Sequence, residues 1–333
     1  MARNAYVKTP RILSMFMRLL HGGCIHKKAE AERFNVNEKT IQRDLDDIRT
    51  YFTESNCDGN CGELIYRHKE KGYYLGTGGE KQLQGMDVLL LIKILLESRS
   101  LCKMEMESLL DKLLLQALPQ DKKMIEKLVC NEKYHYAPVS HGKKLAGLVW
   151  QLSCALREQL RVQIEYKKEN AKDSILREVE PQGVIFSEYY FYLLACIVGK
   201  DYDFPAVYRI DRIAAIKVLD KTFRCSYCNR FEEGEFRKRV QFMKSGPILK
   251  LTFRYTGTSL AAVLDRLPTA RVIEQKIGAA VIESEVFGDG IKMWLLSQGE
   301  YVEVLKPEWF RDEMRETIGK MWGRYDLGEI EHI

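Results

Sequence analysis

The segment VNEKTIQRDLDDIRTYF at residues 36–52 constrains this chain most, because its apolar and cationic residues separate onto opposite sides of a helix. At about 100° per residue, one side collects the apolar residues Ile41, Leu45, Ile48 and Phe52. Lys39 and Arg43 lie on the opposite side. Asn37 is a good N-cap, because its side-chain oxygen can accept a hydrogen bond from a backbone N–H of the first turn. The segment therefore predicts an amphipathic helix whose first two turns are cationic.

The charges of this helix also change along its length. Asp44, Asp46 and Asp47 follow directly after the cationic turns. Carboxylates are repelled by phosphates, so only the N-terminal half of the helix can approach a nucleic-acid duplex. Helices that recognise DNA dock in this way, with their first turns at the base edges. The pattern therefore predicts a DNA-reading helix.

The residues before this segment predict two further helices. TPRILSMFMRLL has Thr9 as its N-cap and Pro10 at the first helical position, where the missing N–H of proline costs nothing. After a glycine pair at 22–23, KKAEAERF predicts a short second helix that ends in a turn at 35–36. Two helices, a turn and a third helix are the parts of a helix-turn-helix.

The residues after it predict a two-stranded wing: ELIYRH and GYYL flank a KEKG turn with Gly72 in the left-handed conformation. Residues 1–43 carry nine Lys/Arg against three Asp/Glu, a net charge of +6 that exceeds the +5 of the whole chain. A solvated helix of an all-α bundle is the alternative, but the order of helix, turn, helix and wing favours DNA binding. The candidate DNA-contacting residues are Lys27, Lys28, Asn37, Lys39, Thr40, Gln42, Arg43, Arg67, Lys69 and Lys71.

Composition narrows the class of protein. A chain of 333 residues with 46% hydrophobic content can bury two or three cores, and an uncharged apolar run such as VLLLI is far too short to span a bilayer. Nine scattered cysteines are typical of a reducing cytoplasm. The pairs Cys57/Cys61 and Cys225/Cys228 lack a second well-spaced pair of ligands, so free thiols are favoured over a zinc site. We therefore expect a cytoplasmic, non-membrane protein without a metal or cofactor.

The pattern changes twice more along the chain. GTGG at 76–79 predicts a linker, and residues 81–130 predict Leu- and Met-rich helices suited to a core or a dimer interface. From Arg161, short alternating segments separated by tight turns predict a small antiparallel barrel, closed by a basic helix at 231–242.

The last block predicts a compact α+β module. Its expected elements, in chain order, are the strand LKLTFRY, the helix SLAAVLDRL, strands around 270–287 and 291–305, and a terminal helix at 307–325. The fold class expected from all segments is multidomain α+β.

With these strands in place, nearly the whole chain resembles the WYL-domain family of bacterial transcriptional regulators. The Trp-Tyr-Leu that names the family corresponds to FYL at 191–193, and the family's arginine-bearing strand corresponds to YRIDRI with Arg209 and Arg212. MWLLSQGEYVEVLKPEWFRDEM resembles the family's C-terminal extension. Phe191 keeps the aromatic bulk of the usual Trp but lacks its N–H, and Gln182 stands where many relatives have His.

The resemblance implies a domain order and a ligand site. The expected domains are a winged helix-turn-helix at 1–79, a helical linker or dimerisation region at 80–140, an Sm-like WYL barrel at 141–245 and an α+β extension at 246–333. The residues implied in ligand binding are Tyr166, Gln182, Phe191, Tyr192, Arg209 and Arg212. Spacing leaves an alternative open. Residues three apart on a strict strand point to opposite faces, and Arg209 shares a face with Asp211, so it can form an ion pair instead.

These features lead to an expected function. Guanidinium groups bind phosphate bidentately and aromatic faces stack on bases, and the resemblance implies a sensor of nucleic-acid fragments or nucleotides. We therefore expect a non-enzymatic transcription regulator that binds a double-stranded DNA operator as a homodimer and responds to a single-stranded nucleic acid or nucleotide effector. A dimer is expected because one winged domain reads too little sequence to be specific.

Two other classes of protein are the alternatives. One is a nucleic-acid-processing enzyme, although the sequence has no Walker loop, no GxSxG and no paired carboxylates with histidine. The other is a protein-interaction adaptor that carries a winged-helix module.

Overall fold

The computed structural model describes residues 2–20, 23–54, 63–68, 70–76, 83–169, 171–200, 204–224, 232–244 and 246–325. The chain divides into two compact units, Met1–Arg99 with Lys103–Ala137 and Ser100–Cys102 with Pro138–Ile333. Both units combine helices with antiparallel sheet, so the fold is mixed α+β, as the sequence predicts. Within the described part of the chain, no helix is both long and apolar enough to cross a membrane.

The first unit begins with three helices and a hairpin. Their bounds are α1 Ala2–Leu20, α2 Lys27–Phe34, α3 Glu38–Glu54, β1 Glu63–Arg67 and β2 Gly72–Gly76. The prediction that Thr9 caps the first helix is wrong, because α1 already begins at Ala2 and contains Pro10. Proline lacks one N–H and crowds the carbonyl four residues earlier, but it does not prevent the residues before it from being helical.

The apolar stripe of α3 forms the core of this module, as predicted. The residues buried together there are Ile41, Leu45, Ile48 and Phe52 of α3, Met15 and Leu19 of α1, and Tyr73 of β2. Arg11 of α1 and Asp44 of α3, exposed by only 5% and 1%, form an ion pair in which Arg11 Nε and Nη2 both donate to the carboxylate. Asp44, which the sequence alone assigns to the charged part of the helix, is therefore a core residue.

The hairpin turn differs from the prediction. Lys71, not Gly72, has the left-handed backbone, with a φ of 48°. Gly72 is required by packing instead, because a Cβ atom there would lie 2.0 Å from Cys24 Sγ. The next residue, Tyr73, exchanges two backbone hydrogen bonds with Ile25, each 2.9 Å long. The hairpin is thereby attached to the segment that precedes α2.

Three more helices complete the first unit: α4 Gly85–Ser98, α5 Lys103–Leu114 and α6 Pro119–Tyr134. Leu118 is the N-cap of α6, and Pro119 takes the first helical position. The buried residues of these helices are Val88, Ile92, Leu96, Met106, Leu110, Leu114, Ile125 and Val129. They form the core that the Leu-rich sequence predicts.

The second unit begins with a helix and a five-stranded sheet. The elements are α7 Ala146–Arg157, β3 Leu160–Tyr166, β4 Ile175–Ser187, β5 Tyr190–Ile197, β6 Ala206–Arg209 and β7 Ile213–Thr222. The strands are antiparallel in the order β6-β5-β4-β3-β7, and a 3-10 turn, Ile210–Arg212, separates β6 from β7. Leu152 and Ala155 of α7 pack on the sheet against Val162 and Leu193. The expected closure of this sheet into an Sm-like barrel stays a prediction.

The last part of the second unit is a separate sandwich of sheet and helices. Its elements are α8 Glu233–Arg239, β8 Ile248–Tyr255, α9 Leu260–Arg266, β9 Arg271–Lys276, β10 Ala279–Phe287, α10 Gly290–Ser297, β11 Val302–Lys306 and α11 Glu308–Trp322. The sheet order is β11-β8-β10-β9. From β8 to β11 the element order is βαββαβ, that of a ferredoxin-like module.

One element of this module was not expected. Residues 290–297 form a helix, so the prediction of a strand from 291 is wrong. Its buried residues Ile291, Trp294 and Leu295 are spaced by three and four, which is the spacing of one helix face. The last strand begins only at Val302.

Candidate functional site

The first turns of α3 present cations to solvent. Asn37 caps the helix as predicted, because its Oδ1 accepts hydrogen bonds from Thr40 N at 2.8 Å and from Thr40 Oγ1 at 2.9 Å. Lys39 and Arg43 are exposed, and neither side chain forms an ion pair or hydrogen bond with another described residue. We call Lys39 and Arg43 the α3 tip.

The carboxylates after the α3 tip are neutralised within the fold. Asp46 Oδ1 lies 3.1 Å from Arg49 Nη1, and Asp47 Oδ2 lies 2.7 Å from Lys8 Nζ. Together with the buried Arg11–Asp44 pair, these contacts pair Asp44, Asp46 and Asp47, whereas Lys39 and Arg43 remain unpaired. This part of α3 is therefore the part suited to a polyanion.

Gln42, one of the predicted DNA contacts, lies in an internal hydrogen-bond network. Its Oε1 accepts from Lys27 Nζ and from the Tyr73 hydroxyl, both at 3.1 Å, and its Nε2 donates to Asp46 Oδ1 at 3.0 Å. Lys27 Nζ also lies 5.7 Å from the centre of the Tyr73 ring. These contacts join α2, α3 and β2. Gln42 and Lys27 therefore hold α3 against its neighbours.

The other predicted DNA contacts lie on α2 and on the hairpin. Lys28 and Lys71 are exposed. The Arg67 guanidinium carbon lies 4.7 Å from the centre of the Tyr74 ring, a cation–π contact that holds this side chain along the hairpin. Lys69 lies outside the described residues.

In the second unit, two of the predicted ligand residues come together. Tyr192 on β5 lies opposite Arg209 on β6 in the strand register. The Arg209 guanidinium carbon lies 3.5 Å from the centre of the Tyr190 ring, and that ring lies edge-on to Tyr192, with 6.4 Å between centroids. All three side chains are partly exposed. We call Tyr190, Tyr192, Arg209 and the adjacent Asp211 the arginine–tyrosine site.

The carboxylate of Asp211 sets the electrostatics of this site. Arg209 Nε and Nη2 donate to its two oxygens at 3.1 and 2.7 Å, so the ion-pair alternative for Arg209 is the one observed. Burial alone would lower the pKa of the Arg209 guanidinium, but the hydrogen bond and charge of Asp211 outweigh it and raise this pKa. Burial raises the pKa of Tyr192 to about 12, although the Arg209 charge acts in the opposite direction. At neutral pH the site therefore presents a permanent cation beside a neutral phenol.

Arg212 has a different environment from Arg209. Its Nη2 lies 2.5 Å from Glu169 Oε2. Arg212 itself belongs to the 3-10 turn that follows β6, and this turn interrupts the alternation of a strand. Lys143 Nζ holds this turn by donating to the Asp211 carbonyl oxygen at 2.7 Å. The two arginines are thus bound by separate carboxylates.

The remaining predicted ligand residues divide over other parts of the sheet. Tyr166 and Phe191 pack on the α7 side, where the Tyr166 ring lies 5.0 Å from the Tyr208 ring. Tyr192 packs on the opposite face, because successive strand residues alternate. Gln182 lies at a register shift of β4, where its Nε2 donates to the Glu180 carbonyl oxygen at 3.4 Å. Of the six predicted ligand-binding residues, only Tyr192 and Arg209 therefore lie together in the structure.

Tyr190 was missed by the sequence reasoning. The available signal was alternation, since Tyr190 precedes Tyr192 by two residues and so shares its face. The contribution of Lys143 to the turn had no such signal, because it joins residues far apart in the chain.

The sequence contains two cysteine pairs that are candidate metal ligands. Within the described residues, no group of three or more His, Cys, Asp or Glu side chains is arranged to hold a metal ion. Cys57, Cys61, Cys225 and Cys228 lie outside the described residues.

Comparisons with known proteins identify two domains. Residues 148–218 match the WYL domain family, and residues 249–322 match the WCX domain family. A curated relative in Bacillus subtilis (strain 168), described as an uncharacterized HTH-type transcriptional regulator YobV, is 22% identical over 339 residues, which cover 96% of this chain and 100% of the relative.

Two solved structures are also similar to the chain. Proteasome accessory factor B/C (PafBC) of Arthrobacter aurescens is 16% identical with a TM-score of 0.31, and the match covers 95% of this chain. This chain spans 48% of that protein. A CRISPR Cas-related protein is 16% identical with a TM-score of 0.37, and the match covers 72% of each chain.

The matched regions coincide with observed structural elements. The WYL match covers most of α7 and the five-stranded sheet, and the WCX match covers the ferredoxin-like module with α11. The chain therefore contains a WYL domain followed by a WCX domain, the two domains that its resemblance to WYL-domain transcriptional regulators implies.

Proposed function

We propose that this regulator binds duplex DNA through α3 and the β1–β2 hairpin, and that an anionic, planar ligand at the arginine–tyrosine site controls this binding. The single observation that carries the DNA-binding half is the α3 tip. Its two cations lack partners among the described residues, whereas Asp44, Asp46 and Asp47 of the same helix are paired. The order of three helices and a hairpin supports a winged helix-turn-helix at 1–79.

The proposed docking places the first turns of α3 in the major groove. Lys39 and Arg43 then reach bases or phosphates, while Lys28 and the hairpin cations, Arg67, Lys69 and Lys71, contact the backbone. Asn37 and Thr40 sit at the same helix end, but their side chains already bond to each other. Gln42 must give up its internal hydrogen bonds before it can contact a base. We therefore assign most of the affinity to Lys39 and Arg43.

The proposed ligand is a nucleotide or a short single-stranded nucleic acid. Arg209 uses two of its five N–H donors on Asp211, so other donors are left for a phosphate oxygen. Tyr190 and Tyr192 add aromatic surface on which a base can stack. A phosphate competes with Asp211 for the guanidinium, and Asp211 belongs to the turn that Lys143 holds. Ligand binding therefore acts on the 3-10 turn between β6 and β7.

The proposed assembly is a homodimer. The outer face of α4 carries Met86, Leu90 and Ile94, which are 67%, 55% and 68% exposed, while its inner face is buried. A helix that is apolar on both faces is normally covered on both. This supports a dimer interface in the region 80–140, before the expected domains at 141–245 and 246–333. As a regulator of transcription, the proposed dimer acts in the cytoplasm and needs no cofactor.

Duplex binding of the full-length protein, measured with and without a short single-stranded DNA, tests this proposal. The duplex is taken from the region upstream of its own coding sequence, and binding is measured over a series of salt concentrations. We expect salt-sensitive binding that changes when the oligonucleotide or a nucleotide is added.

Three outcomes would contradict the proposal. Salt-independent or absent duplex binding favours the protein-interaction adaptor. Turnover of the nucleic acid in the presence of a divalent metal favours the enzyme. Duplex binding that neither single-stranded DNA nor nucleotides alter contradicts the sensor half alone.

A further inference from the structure

A polar cavity lies in the second unit, between α8 and the sheet of the ferredoxin-like module. Its volume is about 400 Å³. Its walls come from α8, β8, β9, β10 and the segment that joins α9 to β9. It shares no residue with the arginine–tyrosine site. A volume of this size suits a small hydrophilic molecule.

The walls of this cavity are charged, and cations exceed carboxylates. The cations are Lys238, Arg239, Lys250 and Arg271, and the carboxylates are Glu235, Glu283 and Glu285. The cations come from three different elements, α8, β8 and β9. Such convergence gives the cavity a net positive charge.

Most of these charges have partners, which is the arrangement of an ordinary surface ion-pair network. Glu235 is shared by Lys238 Nζ at 2.5 Å and Arg239 Nη1 at 2.6 Å, and Glu285 Oε1 lies 3.0 Å from Lys250 Nζ. These hydrogen-bonded cations hold the pKa values of Glu235 and Glu285 below their ordinary range. The carboxylates therefore stay ionised and orient the cations.

Two features go beyond such a network. Arg239 Nε is buried and has no hydrogen-bond acceptor among the described residues, and Glu285 Oε2, a carboxylate oxygen of the same wall, lies 4.0 Å away. A buried charged donor without an acceptor is costly and needs an explanation, such as a missing ion. In addition, Arg271 is exposed and forms no ion pair with a described residue. Both arginines border the same cavity.

We propose that this cavity is a binding site for a small phosphorylated molecule, with the phosphate held between Arg239 and Arg271. Arginine donors match phosphate oxygens bidentately, and Lys238 adds charge. The Glu283 carboxylate can then accept a hydrogen bond from a hydroxyl or amino group of the ligand. The site is independent of the proposed ligand at the arginine–tyrosine site.

Calorimetric titration of the full-length protein with ribose 5-phosphate, inorganic phosphate and ribose tests this site. We expect saturable binding of ribose 5-phosphate and no binding of ribose. Inorganic phosphate as the tighter ligand would support the same site with the free anion as its occupant. Arg239→Gln is expected to weaken binding at least tenfold, and Arg254→Gln is the matched control, because Arg254 lies on β8 but outside the cavity.

A second variant guards against loss of folding. Arg271 is exposed and unpaired in the described structure, so Arg271→Gln should leave thermal unfolding unchanged and still weaken ribose 5-phosphate binding several-fold. The proposal is overturned if no phosphorylated probe binds saturably, or if both variants bind as the control does. The cavity is then an unoccupied surface ion-pair network.

Discussion

The α3 tip and the arginine–tyrosine site are both cationic, but they differ in what surrounds the cations. At the α3 tip, Lys39 and Arg43 are exposed and have no described partner. At the arginine–tyrosine site, Arg209 is bound to a carboxylate and covered by the Tyr190 ring. Exposed charges act on a polyanion over a Debye length, about 8 Å at physiological salt. A paired and half-buried arginine must first exchange its partner.

In the proposed function, this difference assigns the affinity for DNA to the α3 tip and the response to a ligand to the arginine–tyrosine site. Unpaired surface cations suit a partner that is recognised largely by charge, such as a duplex backbone. A paired arginine suits a ligand whose binding must change the structure, because the released carboxylate has to find new contacts. Asp211 belongs to the turn between two strands, so its release from Arg209 would change the conformation of the sheet at that turn.

The largest expected effect concerns a third kind of cation, the buried Arg11 that pairs with Asp44. Asp44→Ala leaves a buried guanidinium without its partner, which typically costs about 3–5 kcal/mol. We expect the unfolding of the first unit to shift to clearly lower urea concentration. Asp47→Ala is the matched control on the same helix, because Asp47 is exposed and its pair with Lys8 should contribute about 1 kcal/mol or less. Equal shifts for the two variants would contradict the assignment of Asp44 to the core.

The next effect tests the arginine–tyrosine site. Arg209→Gln should abolish, or weaken at least tenfold, the response of duplex binding to the single-stranded effector, while duplex binding without effector stays unchanged. Arg161→Gln is the control, because Arg161 is also bound to carboxylates on the same sheet. A normal effector response in Arg209→Gln would place the sensor elsewhere.

The smallest effect concerns pH. Burial raises the pKa of Tyr192 to about 12, above the ordinary value of about 10. A raised pKa means that the protonated Tyr192 stabilises the fold fully below pH 10 and that this contribution is lost as the pH rises towards 12. A phenolate absorbance titration of wild type minus Tyr192→Phe should therefore show one tyrosine that ionises near pH 12. A difference curve centred near pH 10 would contradict the burial of this group.

The contrast between the two regions also explains what the sequence could predict. The α3 tip is local: the cap and the two cations lie within about two helical turns, and one periodicity relates them to the apolar stripe. Asn37 therefore takes its predicted role. Asp44 did not follow the pattern, because its partner Arg11 lies 33 residues earlier.

The arginine–tyrosine site depends on strand pairing, which the sequence shows less directly. Tyr192 and Arg209 meet because β5 pairs with β6, and the 3-10 turn places Asp211 under Arg209. Alternating residues predicted the strands, but the resemblance to a family grouped Phe191 and Tyr166 with residues of the opposite sheet face. The helix at 290–297 was missed because an apolar run shorter than three turns fits either a strand or a helix.

The salt dependence of duplex binding by Lys39→Ala/Arg43→Ala tests the central claim most directly. If both side chains neutralise phosphates, the slope of log affinity against log salt should decrease by about 1.8, and affinity should fall at least tenfold at low salt. Arg49→Ala, in which the removed cation on the same helix is already paired with Asp46, should change neither quantity appreciably. An unchanged slope in the double variant would contradict the account, because it would mean that α3 does not contact DNA through its first turns.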